Sequence, residues 1–208
     1  MTHKALRKEE IIRAGIEVFG RNGFQNSSIS EIAQKANVAE GTIYQYFKNK
    51  EDLFFSIPEE RSKEFCKQLD LHFQGITGSV NKIGKLVWYY LYFFQTNPDY
   101  ARTLMLEMRV SKSFLKSTAC GSLKQFTDKV LGLLQEAQEE GVIRKGAHLY
   151  LCRQLVLGFL EHVVTRWLLK EEKYDLAADH KEITDLIMNG IFHVRGRPGL
   201  VGEGTSLS

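Results

Sequence analysis

An all-α fold is predicted for this 208-residue chain: a small N-terminal three-helix unit followed by a larger helical domain. Three observations carry the prediction. There are only three prolines and few runs of alternating β-branched residues. Apolar residues recur at helical spacing in segment after segment. Finally, residues 27–53, SSISEIAQKANVAEGTIYQYFKNKEDL, read as two short helices about a tight turn and the start of a long third.

Composition narrows the classes. The hydrophobic share of 43% and charged share of 25% are those of an ordinary globular protein. A net charge of +3 is too small to argue for nucleic acid, although a site-specific DNA reader need be basic only locally. No apolar run approaches the roughly 18 residues of a membrane span. The opening MTHKALRKEE has no apolar core of a signal peptide, so a cytoplasmic protein without a membrane partner is expected. Three cysteines without close spacing read as free thiols in a reducing compartment.

Residues 1–6 read as a mobile arm. From Lys8 to Arg21, Ile11, Ile12, Ile16, Val18 and Phe19 make a helical stripe, with Gly23 beyond the last turn and Phe24 folding back. Ser28 and Glu31 form a capping box for the next helix, whose apolar face is Ile29, Ile32, Ala33 and Ala36. Asn37 ends that helix, because Asn tolerates the left-handed conformation needed there. Gly41-Thr42 opens a second short helix, held down by Ile43 and Phe47. Asn49 with Asp52 is an N-cap signal for a helix from Lys50 to about Phe73, with a kink or break expected near Phe55 from Pro58. GITGS connects to an aromatic helix, Val80 to Phe94. Asn97-Pro98-Asp99 ends it and starts another, through Ala101 to Val110. Further helices are expected from about Phe114 to Glu140, from His148 to Lys170 and from Leu176 to Val194, ahead of a Gly-rich disordered tail. The helix at 148–170 is apolar nearly all round and must be covered nearly all round, which implies a partner.

Two short helices about a tight turn form the helix-turn-helix of DNA readers. With Ile43 and Phe47 as anchors, Thr42, Tyr44, Gln45, Tyr46, Lys48 and Lys50 are candidates to face DNA. Gln45 is the candidate base reader, since its amide matches the edge of adenine. Tyr44, Thr42 and Lys50 are candidates for phosphates, and Ser27 and Ser28 could touch the backbone from the neighbouring helix. The plain alternative for Tyr44 and Tyr46 is packing between helices. Other features favour ordinary structure. His148 and Cys152 lie one turn apart, but no third group completes a metal motif. Cys66, Cys120 and Cys152 have no evident basic setting that would make them reactive. Arg195-Gly196-Arg197-Pro198 lacks the flanking basic residues of a minor-groove hook. No catalytic residues, metal or cofactor are expected.

ISEIAQKANV followed by GTIYQYFKNKEDL resembles the DNA-binding signature of the TetR family of bacterial transcriptional regulators. The chain departs from that signature at Asn37, where Gly is usual, and at Ala39, where Ser or Thr is common. The resemblance implies a helix-turn-helix domain over 1–49, an effector-binding and dimerisation domain over 50–194 and a tail over 195–208. It also supports phosphate roles for Tyr44 and Lys50. It implies a homodimer through 148–170 and 176–194 on a near-palindromic double-stranded DNA operator. A second stretch of similarity, in LMLEMRVS, EGVIRKG and LVLGFLEHVVTRWLLKEEKYDL, is to acyl-CoA-responsive repressors of fatty-acid degradation within the family. It implies a hydrophobic effector, a long-chain acyl-CoA, with another hydrophobic or aromatic molecule such as a drug as the alternative. Candidate lining residues are Tyr89, Phe93, Leu104, Met105, Met108, Phe126 and Trp167, with Arg109 as an anchor for an anionic head group; ordinary core is the plain alternative. Two other classes remain: an enzyme using that cavity, for which no nucleophile–base pair is present, and a purely structural helical dimer.

Overall fold

The computed structural model describes residues 3–114, 117, 121 and 123–191, with backbone only for 190 and 191. All regular elements among them are helical: α1 His3–Asn22, α2 Ile29–Lys35, α3 Glu40–Tyr44, α4 Lys50–Phe73, α5 Ser79–Thr96, α6 Pro98–Arg102, α7 Lys124–Glu139, α8 Leu149–Leu169 and α9 His180–Ile191. The all-α expectation holds.

Local signals set most boundaries. Ser28 and Glu31 form the expected reciprocal capping box on α2. Asn37 takes φ 53° just beyond that helix, as its side chain allows. The Asn49 side chain accepts from the Asp52 amide at 2.8 Å and opens α4. Gly23, at φ +76°, ends α1 with its amide on the Phe19 carbonyl at 2.9 Å.

Several expectations change. Helix α1 begins at His3 rather than after residue 6, and its first turns are tied down by Arg7–Glu10 at 2.9 Å and Lys8–Glu60 at 3.4 Å. Helix α4 continues unbroken through Pro58, because Phe54, Phe55, Ile57 and Pro58 are buried and the flanking turns stay packed. Helix α7 starts at Lys124, ten residues later than expected, and α9 at His180 instead of Leu176. Leu176 is instead a buried anchor of the connecting loop. Cys120 and the tail with Arg195–Pro198 lie outside the described residues.

The helical backbone changes pitch after α6. Residues Thr103–Met108 form a π-helical turn, with the Arg109 amide bonded five residues back to the Leu104 carbonyl at 3.0 Å. Glu107 in this turn lies beside the Phe24 amide, 3.5 Å from its nitrogen. Helix α1 packs along α6 so closely that a Cβ on Gly20 would lie 2.6 Å from the backbone of Asp99. The N-terminal unit is also joined to α4 by an aromatic cluster. Phe54 meets Phe19 edge-on at 5.1 Å and Phe24 at 4.7 Å. The first three helices are thus held by the body at α4, at α6 and at the π-turn.

Candidate nucleic-acid interface and ligand cavity

Ile43 and Phe47 are 0% and 3% exposed, and α3 packs on α2, so the two side chains hold the short helix down as the sequence implies. The opposite face is free: Tyr44, Gln45 and Lys48 are exposed, and Thr42 and Tyr46 are half-buried. Tyr46 also packs partly on the core, which is the plain alternative weighed for it. No side chain caps α3, since Ala39 occupies the N-cap. Ser28 is exposed beside this face, with its hydroxyl 2.8 Å from Glu31.

Two residues of the set are placed differently. Ser27 is 5% exposed and its hydroxyl donates to the Gly23 carbonyl at 2.6 Å, so it fastens the α1–α2 turn and does not face outward. Lys50 turns its ammonium inward to the Phe24 and Ser27 carbonyls, at 2.8 and 2.7 Å, and over the Phe24 ring at 4.5 Å. One of its three N–H donors remains. Lys50→Ala should therefore destabilise the fold by about 1–3 kcal/mol through two unsatisfied carbonyls, measurable by thermal or urea unfolding. An unfolding midpoint equal to the parent's would show that these bonds contribute nothing.

The body encloses a cavity of about 640 Å³, within the range of small-molecule sites. Its inner wall is aromatic. Phe65 lies edge-on to Phe93 and Phe126, at 5.0 and 4.9 Å, and Tyr90 and Tyr100 each stack against a neighbouring ring. Burial pushes the hydroxyls of Tyr90 and Tyr100 well above the usual phenol range, so both remain neutral donors. Another wall is one face of α8: Tyr150, Arg153, Gln154, Leu157, Gly158 and Glu161. At 1.5 Å per residue this face spans about 16 Å, room for an elongated guest.

Charge is distributed unevenly in the cavity. Arg61, Arg109, Lys124 and Arg153 line it, with Glu161 as the single acid among the described lining residues. Arg109 pairs with Glu161 at 2.8 Å. Burial raises the Glu161 carboxyl, and the Arg109 guanidinium pulls it partly back. Arg61 donates to Asn97 Oδ1 at 2.6 Å, and Arg153 approaches Asp128 at only 3.8 Å. The Nε groups of both arginines are buried without a hydrogen-bond partner among the described residues. A buried donor left open is costly, and an anionic ligand would satisfy it.

Of the expected lining residues, Phe93, Leu104, Arg109 and Phe126 do line the cavity. Tyr89, Met105, Met108 and Trp167 do not. Tyr89 packs between Phe65 and His72, and burial drives its hydroxyl up to about 12. Met105 and Met108 are 6% and 0% exposed in the core. Trp167 is 2% exposed, with its Nε1 donating to the Tyr174 carbonyl at 2.8 Å, so it closes the α8–α9 loop. Arg61, Tyr100, Arg153 and Glu161 were not anticipated. For the last two there was a signal: Arg153 and Glu161 are charges eight residues apart on a helix that is otherwise mostly apolar.

A helix-turn-helix head on a helical body with a guest-sized cavity defines a DNA-binding regulator that responds to a small molecule. Residues 11–57 match the description "Bacterial regulatory proteins, tetR family", and residues 58–190 match "YsiA-like protein, C-terminal region". The fatty acid metabolism regulator protein of Bacillus subtilis is 31% identical over 191 residues, covering 92% of this chain and 98% of that protein. The fatty acid degradation regulator FadR from Bacillus halodurans superposes with a TM-score of 0.85 at 32% identity, covering 90% of this chain and 97% of that one. FadR from Bacillus subtilis, solved in complex with stearoyl-CoA, gives 0.83 at 32% identity, covering 88% and 98%. The chain belongs to the TetR family and is a transcriptional regulator. No described helix is long and apolar enough to cross a membrane.

Proposed function

We propose that the chain is a cytoplasmic, non-enzymatic repressor that holds a near-palindromic operator as a homodimer and is released by a long-chain acyl-CoA. The observation that carries this reading is the cavity: a long aromatic pocket in which Arg61 and Lys124 have no carboxylate partner among the described residues and Arg153 has only Asp128, at 3.8 Å. Apolar walls suit an acyl chain, and Arg153 with Lys124 suits the coenzyme phosphates. The likeness to a stearoyl-CoA-bound relative supports the same ligand class.

In this reading residues 1–49 form the head and 50–194 the effector and dimer domain. Gln45 reads base edges, while Thr42, Tyr44, Lys48, Ser28 and the remaining donor of Lys50 position the head on phosphates, with Tyr46 at the margin. Leu151, Leu155 and Leu169 on α8 and Leu186 on α9 are all more than half exposed, and this apolar surface pairs with its copy about a two-fold axis. The two heads then reach successive major grooves, roughly 34–36 Å apart. Ligand in the cavity touches α4 through Arg61 and the π-turn through Leu104 and Arg109, and both lead to the head.

The density of rings in the cavity favours one other guest, a planar aromatic compound. Electrophoretic shift of the DNA upstream of the chain's own gene separates the two. Stearoyl-CoA should abolish the shift at micromolar concentration. A shift that persists with stearoyl-CoA but disappears with an uncharged planar aromatic compound would establish the alternative.

A further inference from the structure

Within the acyl-CoA reading, one residue of the cavity has no evident part in gripping a guest. Glu161 is the one acid among the described lining residues, whose other charged members are all cations. Its carboxylate is 2.8 Å from Arg109, and both side chains are about two-thirds buried or more. Without it, four cations above an aromatic wall would attract any amphiphilic anion, free fatty acids and detergents included. We propose that Glu161 sets the charge selection of the cavity: by holding Arg109 in an ion pair, it favours an acyl group with an uncharged carbonyl over the free carboxylate of the same chain.

The geometry separates two polar regions along α8. Arg153 and Glu161 share one face and lie eight residues apart, about 12 Å by helical rise. Lys124 also lines the cavity, one turn before Thr127, whose carbonyl accepts from Arg153 at 3.4 Å, and neither cation has a carboxylate within 3.5 Å among the described residues, so this end keeps its charge for phosphate. The Glu161 end differs. Arg109 is already compensated there, and Arg61 is satisfied in part by the neutral amide of Asn97. A guanidinium has five N–H donors, so a thioester or ester carbonyl can accept one while the ion pair stays intact. A second carboxylate must compete with Glu161 for the same fork and sit next to a like charge in a poorly solvated space. Burial raising the Glu161 carboxyl accords with a site where negative charge is already unwelcome.

Dodecanoate and its methyl ester isolate the effect, because they differ in charge and not in chain. Each is titrated into the full-length chain, its Glu161→Gln variant and its Arg109→Gln variant, with binding followed calorimetrically and folding by circular dichroism. The readout is the ratio of dodecanoate affinity to ester affinity. The parent chain should favour the ester. Glu161→Gln should raise the ratio about tenfold, and Arg109→Gln, which leaves Glu161 facing the ligand alone, should lower it about tenfold. A purely structural pair would weaken both ligands alike and leave the ratio fixed, which overturns the proposal, as does a parent chain that favours dodecanoate. Should Glu161→Gln not fold, an unchanged ratio in Arg109→Gln overturns it equally. Stearoyl-CoA titrated alongside keeps the two readings apart: its failure to bind removes the coenzyme assignment, while the ratio still decides the role of Glu161.

Discussion

Leu155→Glu is expected to convert the chain to a monomer and to lower operator affinity by about 10²–10⁴-fold, the advantage that linking two modest binding events supplies. Leu151 and Leu155 are one turn apart on α8, 62% and 51% exposed, with Leu169 at 63% further along and Leu186 at 56% on α9. Scattered exposed leucines need no explanation, but recurrence along one helix and its neighbour does. A carboxylate at the centre of such a contact would be buried opposite its own copy and unpaired. Sedimentation equilibrium and an operator titration on the same sample check both halves of the expectation. A monomer that kept parental affinity would refute the two-headed mechanism. A dimer that persisted would refute the placement of the interface.

Gly20→Ala should uncouple the head from the body. Its new Cβ would meet the Cα and carbonyl oxygen of Asp99 at 2.6 Å, and backbone cannot swing aside as a flexible side chain can. Overpacking of this kind costs about 1–3 kcal/mol, against about 1 kcal/mol gained from the better helix former. The chain can relieve the clash by tilting α1 away from α6, but docking two heads at a fixed spacing requires the tilt to be undone. Each head then returns the relieved strain, so operator affinity should fall at least about tenfold. Ligand affinity should change little, because Gly20 does not line the cavity. Parallel titrations with operator and with stearoyl-CoA test this, and equal losses in both would mean general misfolding.

The features legible in the sequence are those decided within one or two turns of chain. The Ser28–Glu31 box, left-handed Asn37, the Asn49 cap and the Ile43–Phe47 anchors each depend on neighbours three or four residues away. Such contacts repeat wherever the pattern repeats. The cavity was only half legible because it is built by convergence: Arg61 from α4, Tyr90 from α5, Tyr100 from α6 and Glu161 from α8 meet across up to a hundred residues. An apolar side chain in one helix also does not disclose which way it faces. Met108 and Trp167 look as suitable for a lining as Phe93, yet the first two are closed in the core. Lys50 shows the same limit for charge. Its position beside a DNA-facing helix points to phosphate, whereas the nearest acceptors are carbonyls of its own fold. At Pro58 tertiary packing overrides the local rule that a proline breaks its helix.

The widened turn at Thr103–Met108 fixes the angular phase of the residues beyond it. Each residue of an α-helix advances about 100° around the axis, and the Arg109–Leu104 bond spans five residues where an α-turn spans four. Wound as a regular α-helix, the same residues would place Met108 over Leu104 and carry Arg109 about 100° further round, away from Glu161, whereas deleting one residue inside the turn would leave Arg109 close to its present bearing. The wide winding thus works as an indexing step, aiming one guanidinium inward while Glu107, two positions earlier, stays beside the head.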